Sequence, residues 1–192
     1  MSTLVALFHN HWSVPILAEL HRQRGSRFVT LARTLGMSRE SLRRTLTALI
    51  DGGLVGRNPG YGHPLRPEYV LTRAGEAIAA ACKPLVDTIR RRGLEDVGFK
   101  KWSMPVVYAL ASEPRRFSEL RDALAGISPR ALALALKDLE SAGLIERRVT
   151  SDYPPATIYR LRGNGRPLAQ LLGQISAQGI RTATTRASST SP

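Results

Sequence analysis

SRESLRRTLTALIDGGLVGR (Ser38–Arg57) is written a second time ninety positions later, as SPRALALALKDLESAGLIER (Ser128–Arg147). The leading serine, the leucines, a glycine and the closing arginine recur in register, while most of the central arginines are missing from the second version. In each, leucines fall on one helical face at i, i+4, i+7 spacing: Leu42, Leu46 and Leu49, then Leu132, Leu136 and Leu139. Ser38 and Ser128 stand at the N-cap, where a side-chain oxygen can accept a backbone N–H of the first turn. Gly53 and Gly143 end the helix, as a left-handed residue does.

The echo extends in both directions. Trp12 and Trp102, Pro15 and Pro105, Leu20 and Leu110, Tyr69 and Tyr159, and Gly75 and Gly165 keep the offset of ninety. Between Phe28/Phe117 and Leu35/Leu124 it slips to 89, because Ala125-Gly126 stands against the single Gly36. A register held over about 65 residues marks a duplicated domain.

Both copies follow one plan. A helix begins near Trp12 or Trp102, with a proline tolerated in its first turn. A short second helix follows, around Phe28–Thr34 and Phe117–Leu124, then a tight turn and the serine-capped third helix. Beyond the stop the period becomes extended: LVGR and LIER, a Pro/Gly-rich loop, then EYVLT and TIYRL, which together predict a hairpin with a long tip. Thr72 starts a further helix over Arg73–Arg92, and Arg166 to about Ile180 form the last one. Helix, helix, turn, helix, hairpin is the winged helix-turn-helix order. The expected fold class is therefore mainly α with small β-hairpins (α+β), as two tandem winged helix-turn-helix domains joined by a long linker helix. The expected limits are residues 1–75 for the first domain, 76–100 for the linker helix and joint, 101–180 for the second domain, and 181–192 for a polar, disordered tail.

Composition narrows the function. The chain has 192 residues, with 28 Lys+Arg against 15 Asp+Glu and a net charge of +13. Such a surface attracts polyanions, nucleic acid first among them. The excess is shared by both halves, with 14 basic and 7 acidic residues up to position 95 and 14 and 8 after it. A single cysteine, Cys82, leaves no intrachain disulfide and no cysteine-based zinc site. No apolar run approaches the ~20 residues of a membrane span, and the N-terminus does not read as a signal peptide. A cytoplasmic, nucleoid-associated protein with no membrane partner is expected.

The second copy resembles the HxlR-type transcriptional regulators over nearly its whole length. Lys101-Trp102, Arg116-Phe117-Ser118-Glu119-Leu120, Ile127-Ser128, Leu139-Glu140, Gly143-Leu144-Ile145, Pro154-Pro155 and Tyr159-Arg160-Leu161 follow that family's order and spacing. The first copy is similar but eroded, keeping Arg27-Phe28, Met37-Ser38, Gly53-Leu54-Val55 and Glu68-Tyr69-Val70-Leu71-Thr72. The resemblance implies a bacterial regulator that binds double-stranded DNA. Its members usually carry one such domain and pair as homodimers. Two domains in one chain imply a monomer acting as a pseudo-dimer, or a homodimer of such chains. In the pseudo-dimer, two recognition helices would enter successive major grooves, about 34 Å apart.

In such a domain the third helix lies in the major groove. Setting aside the leucine face of the first copy leaves Arg39, Glu40, Arg43, Arg44 and Thr47 outward, with Ser38 at the cap. Arginine holds guanine O6 and N7, or a phosphate, with two bonds. The second copy offers Ser128, Pro129, Arg130, Ala133, Leu134 and Lys137, of which only Arg130 and Lys137 are cations. The first domain is thus the expected base reader. The second either contributes backbone contacts and shape fit or meets a protein surface; alternatively Leu134 is simply packed. His63 and Arg66, and less directly Tyr61, lie in the first wing, where phosphate or minor groove is in reach. The second wing, Ser151 to Pro155, has no cation and carries Asp152. Arg27, Arg115 and Arg116 precede the second helices and could clamp phosphates, although loop arginines are as often merely solvated.

Cys82 reads as a buried small residue of the linker helix. His9-Asn10-His11 abuts an apolar helix and lacks the context of a nuclease site. Neither a metal nor a cofactor is expected, and no nucleophile elbow, phosphate loop or carboxylate pair points to an enzyme. The rival readings are a repressor that responds to a small aromatic or redox effector in a cleft near Trp12, Trp102 and the linker helix, and a winged-helix scaffold that binds proteins.

Overall fold

A computed structural model describes residues 2–58, 68–151, 153 and 155–188, with side chains described from Thr3 to Ile180 within those ranges. In chain order the elements are α1 (Ser2–Leu7), α2 (Ser13–Gln23), β1 (Ser26–Arg27), α3 (Phe28–Leu35), α4 (Arg39–Asp51), β2 (Val55–Asn58), β3 (Glu68–Leu71) and α5 (Arg73–Arg91). They continue with α6 (Glu95–Gly98), α7 (Ser103–Ala109), β4 (Arg115–Arg116), α8 (Phe117–Ala123), α9 (Pro129–Ser141), β5 (Ile145–Val149), β6 (Thr157–Leu161) and α10 (Arg166–Ser188). The winged helix-turn-helix order is present twice, as α2–α5 and as α7–α10.

Packing groups these elements into two compact units that do not follow sequence order. The first module comprises Asn10–Asp87 with Ala177–Pro192; the second comprises Met1–His9 with Thr88–Ser176. The chain passes from one unit to the other inside α5 and again inside α10. Within the second module α1 packs on α7.

The serine-capped helices α4 and α9 are built alike. Ser38 takes extended backbone angles and its Oγ accepts from the Ser41 N–H at 3.2 Å, while Ser128 does the same for Ala131 at 3.2 Å. Each such cap contributes about 1 kcal/mol. At the far ends Gly53 and Gly143 adopt φ of 65° and 68°. The Leu54 and Leu144 N–H groups then bond back to the Leu49 and Leu139 carbonyls at 2.9 and 3.0 Å. Leu42, Leu46 and Leu49 are buried in the first module, and Leu132, Leu136 and Leu139 in the second. Each buried leucine is worth about 1.5–3 kcal/mol, so the stripe fixes which face of the helix is left outward.

Each hairpin carries a third, two-residue strand, in the orders β1-β3-β2 and β4-β6-β5, all antiparallel. Val55 pairs with Leu71 and Asn58 with Glu68 in one sheet; Ile145 pairs with Leu161 and Val149 with Thr157 in the other. The repeated Gly75 and Gly165 have a steric cause. A Cβ at Gly75 would lie 1.8 Å from the Leu54 carbonyl oxygen, and one at Gly165 2.5 Å from that of Leu144. Thr72 ties the same junction, its hydroxyl donating to the Gly53 carbonyl at 2.8 Å and accepting from the Gly75 N–H at 3.0 Å.

Some elements differ from the sequence expectation. α1, α6, β1 and β4 were not anticipated, since runs of two to six residues show no period. The last helix continues to Ser188 rather than ending near Ile180 before a disordered tail. No glycine or proline stands between Arg181 and Ser188, and extending an existing helix costs far less than starting one. No helix among the described residues is long and apolar enough to cross a membrane.

Candidate nucleic-acid interface

On α4 the leucine stripe leaves Arg39, Glu40, Arg43, Arg44 and Thr47 exposed. They are not equivalent. Arg43 donates from Nη1 to Glu40 Oε2 at 2.8 Å, a pair one turn apart on the open surface. Arg39 and Arg44 form no ion pair among the described residues. Arg44, beyond the first turn, is therefore a free five-donor fork on the outer face of a helix whose start is held by Ser38. Arg27 caps α3 and faces Glu68 across the sheet, Nε to Oε1 3.5 Å. His63, Arg66 and Tyr61 lie outside the described residues.

In the second module the same positions of α9 carry a different surface. Arg130, Ala133, Leu134 and Lys137 replace Glu40, Arg43, Arg44 and Thr47, and all four are exposed. Leu134 is 54% exposed, so it is not packed in the core. Asp138, the nearest carboxylate on the helix, is held by Lys100 at 2.7 Å. Arg115 is half-buried and engaged: Nη2 donates to Glu113 at 3.1 Å, and Nε is enclosed without a partner. Arg116 keeps an exposed side chain while its backbone N–H donates to Glu119 at 2.6 Å.

A model of the HxlR-like helix-turn-helix matches residues 97–186, and one of the HVO_A0261 N-terminal domain matches residues 5–93. The uncharacterized HTH-type transcriptional regulator YvaP of Bacillus subtilis (strain 168) is 38% identical over 81 residues, 42% of this chain and 75% of that protein. The HTH-type transcriptional regulator YodB of the same organism is 32% identical over 78 residues, 41% of this chain and 70% of YodB. Among solved structures, the reduced form of YodB shares 28% identity at a TM-score of 0.42, covering 46% of this chain and 86% of that one. The chain belongs to the HxlR-like helix-turn-helix family.

Three arginines on the wing strands of this HxlR-like protein add cationic surface that the sequence pattern does not single out. Arg57 is exposed on β2, and Arg147 and Arg148 are exposed on β5. Arg147 donates to Thr157 across the hairpin at 3.3 Å, and Arg148 pairs with Glu146 at 2.7 Å. The second wing has no cation in its tip, Ser151 to Pro155, but carries two in the RRV of its rising strand.

Cys82 is buried, and burial pushes its thiol up to about 12. His11 of the His-Asn-His string packs edge-on against Trp12, ring centroids 4.9 Å apart.

The second module also holds an open groove of about 810 Å³, lined by Tyr108, Glu113, Glu146, Arg160, Arg162 and Arg166 among others. Glu146 accepts from Arg160 and Arg148, which hold its carboxyl below the usual carboxylate range against the opposing effect of burial. The side chains of Arg162 and Arg166 form no hydrogen bond or ion pair among the described residues. At the equivalent place of the first module, His21 Nδ1 meets Glu76 Oε1 at 2.6 Å; the second module has Ala111 and Arg166 there instead.

Proposed function

We propose that this HxlR-like protein is a sequence-specific regulator of transcription that binds duplex DNA through both recognition helices, with the first module the stronger base reader. One observation carries the asymmetry: α4 presents free guanidinium groups on its outer face, and α9 has alanine and leucine at the positions of Arg43 and Arg44. Guanidinium forks discriminate guanine by two bonds. Arg57 and Arg27 extend the cationic surface toward phosphate, and in the second module Arg130, Lys137, Arg116 and Arg147 supply the corresponding anchors.

In this reading a single chain supplies the two recognition helices that two single-domain chains would otherwise contribute. Selection of bound sites from random duplexes with the full chain tests it. A site long enough for two half-sites, bound by one chain, supports the pseudo-dimer. A palindrome that binds two chains supports a homodimer, and loss of all selectivity counts against the function itself.

The groove in the second module favours an added effector. Its two unpaired arginines beside Tyr108 suit a small organic anion with a flat apolar body. Benzoate and phenyl phosphate, titrated into the operator complex, are the probes. Release that is lost in the Arg162→Ala/Arg166→Ala variant supports an effector site; retention of DNA with both probes counts against it.

A further inference from the structure

The duplication supplies an internal control for α9. Leu134 occupies the position of Arg44, on the same outward stripe and the same number of residues from the capping serine. The core of its module is already served by Leu132, Leu136 and Leu139, all buried, whereas Leu134 is 54% exposed. Exposure of one leucine is unremarkable by itself. Its setting is specific: Ala133 lies beside it, Arg130 one turn before and Lys137 one turn after, all exposed on one stripe. The charges around it leave that stripe positive. Asp138 is neutralised by Lys100, and Lys101 Nζ sits 5.0 Å from the centroid of the Trp102 ring. Trp102, Ala131 and Ala135 line a shallow apolar groove along the side of Leu134. A small apolar spot framed by cations complements a base edge framed by phosphates better than it does the surface of a neutral protein.

Major-groove chemistry offers one feature for such a spot. Thymine carries a C5 methyl group; the other three bases present only donors and acceptors there. We propose that α9 reads thymine, with Leu134 and Ala133 packing on the methyl group of one or two thymines while Arg130 and Lys137 hold the flanking phosphates. This rests on the DNA-binding reading above and goes beyond it. Loss of the arginines from the second copy is then a change of the base recognised rather than a loss of recognition. The operator is accordingly composite, with guanine read by α4 and thymine by α9.

The test uses the full chain and a duplex selected from a random library. Each thymine in turn is replaced by uracil, which deletes the methyl and leaves every hydrogen-bonding atom in place. At one or two positions uracil weakens wild-type binding by about fourfold, the worth of one buried methyl-sized group. At those positions Leu134→Ala binds thymine and uracil duplexes alike, whereas Arg44→Ala keeps the full fourfold difference. Leu134→Arg shifts the selected base at that position from thymine to guanine. The proposal is overturned if selective binding persists and no thymine shows a uracil effect coupled to Leu134. It is also overturned if the coupling appears with Arg44→Ala instead. A chain that selects no sequence at all defeats the DNA-binding reading first, a different and separately visible failure. Melting curves of the Leu134 variants matching wild type keep folding out of the comparison.

Discussion

Arg43 donates to Glu40 at 2.8 Å along one turn of α4, while Arg44, its neighbour in the chain, forms no ion pair among the described residues. An exposed pair at this spacing is worth only about 0.3–0.5 kcal/mol, so Glu40 restrains Arg43 without disabling it. Arg44→Ala should therefore cost about 1–3 kcal/mol of affinity for the selected site. Arg43→Ala should cost less, because Arg43 must give up Glu40 to reach a base. Binding isotherms at one salt concentration check the order.

Glu40 itself is a charge of the wrong sign for a helix proposed to face DNA. Glu40→Gln should raise affinity for random duplex and narrow the ratio of specific to random binding, since the freed Arg43 adds a contact that any phosphate satisfies. Paired isotherms on selected and scrambled duplexes measure that ratio.

Lys137 lies on α9 and is exposed on its third turn. Lys137→Ala should weaken selected and random duplexes equally. It should also reduce the slope of log affinity against log salt by about one. A salt titration from low to physiological ionic strength reads both effects.

Gly75 and Gly163 contrast a glycine that sterics require with one that they do not. Gly75→Ala places a Cβ 1.8 Å from the Leu54 carbonyl oxygen and should destabilise the fold by about 3 kcal/mol or more. Gly163→Ala meets nothing within 4 Å and should change stability by no more than about 0.5 kcal/mol. Urea denaturation of both variants provides the comparison.

The Cys82 thiol is held neutral by burial, with its pKa pushed up to about 12. The unfolded chain ionises this thiol near its ordinary value of about 8.5. The contribution of this group to stability is therefore complete below that value and is lost as pH rises from there toward 12. Iodoacetamide at pH 8 should label Cys82 only in denaturant, and Cys82→Ser should leave DNA binding intact while lowering stability.

Much of this was legible in the residues. Leucine spacing gave both recognition helices and their outward faces, and serine, glycine and threonine marked the caps and stops. The ends of the chain were not legible, because Ser2–Leu7 is too short to show a helical period and Arg181–Ser188 has a polar composition that disguises a continuing helix. At the candidate site the leucine stripe made the outward placement of Glu40 and Arg43 legible, whereas their pairing emerges only from the side-chain geometry. The status of Leu134 could not be read, since an apolar residue between two leucine positions is packed or exposed according to a small rotation of the helix. Arg115 was likewise ambiguous until β4 drew it against Glu113.

The most direct measurement of the central claim compares wild type and Arg44→Ala on the selected duplex and on random duplex at matched salt. If α4 reads base edges, Arg44→Ala loses roughly tenfold or more on the selected duplex and little on random DNA. Equal losses on the two duplexes would reduce Arg44 to a phosphate anchor and contradict the account.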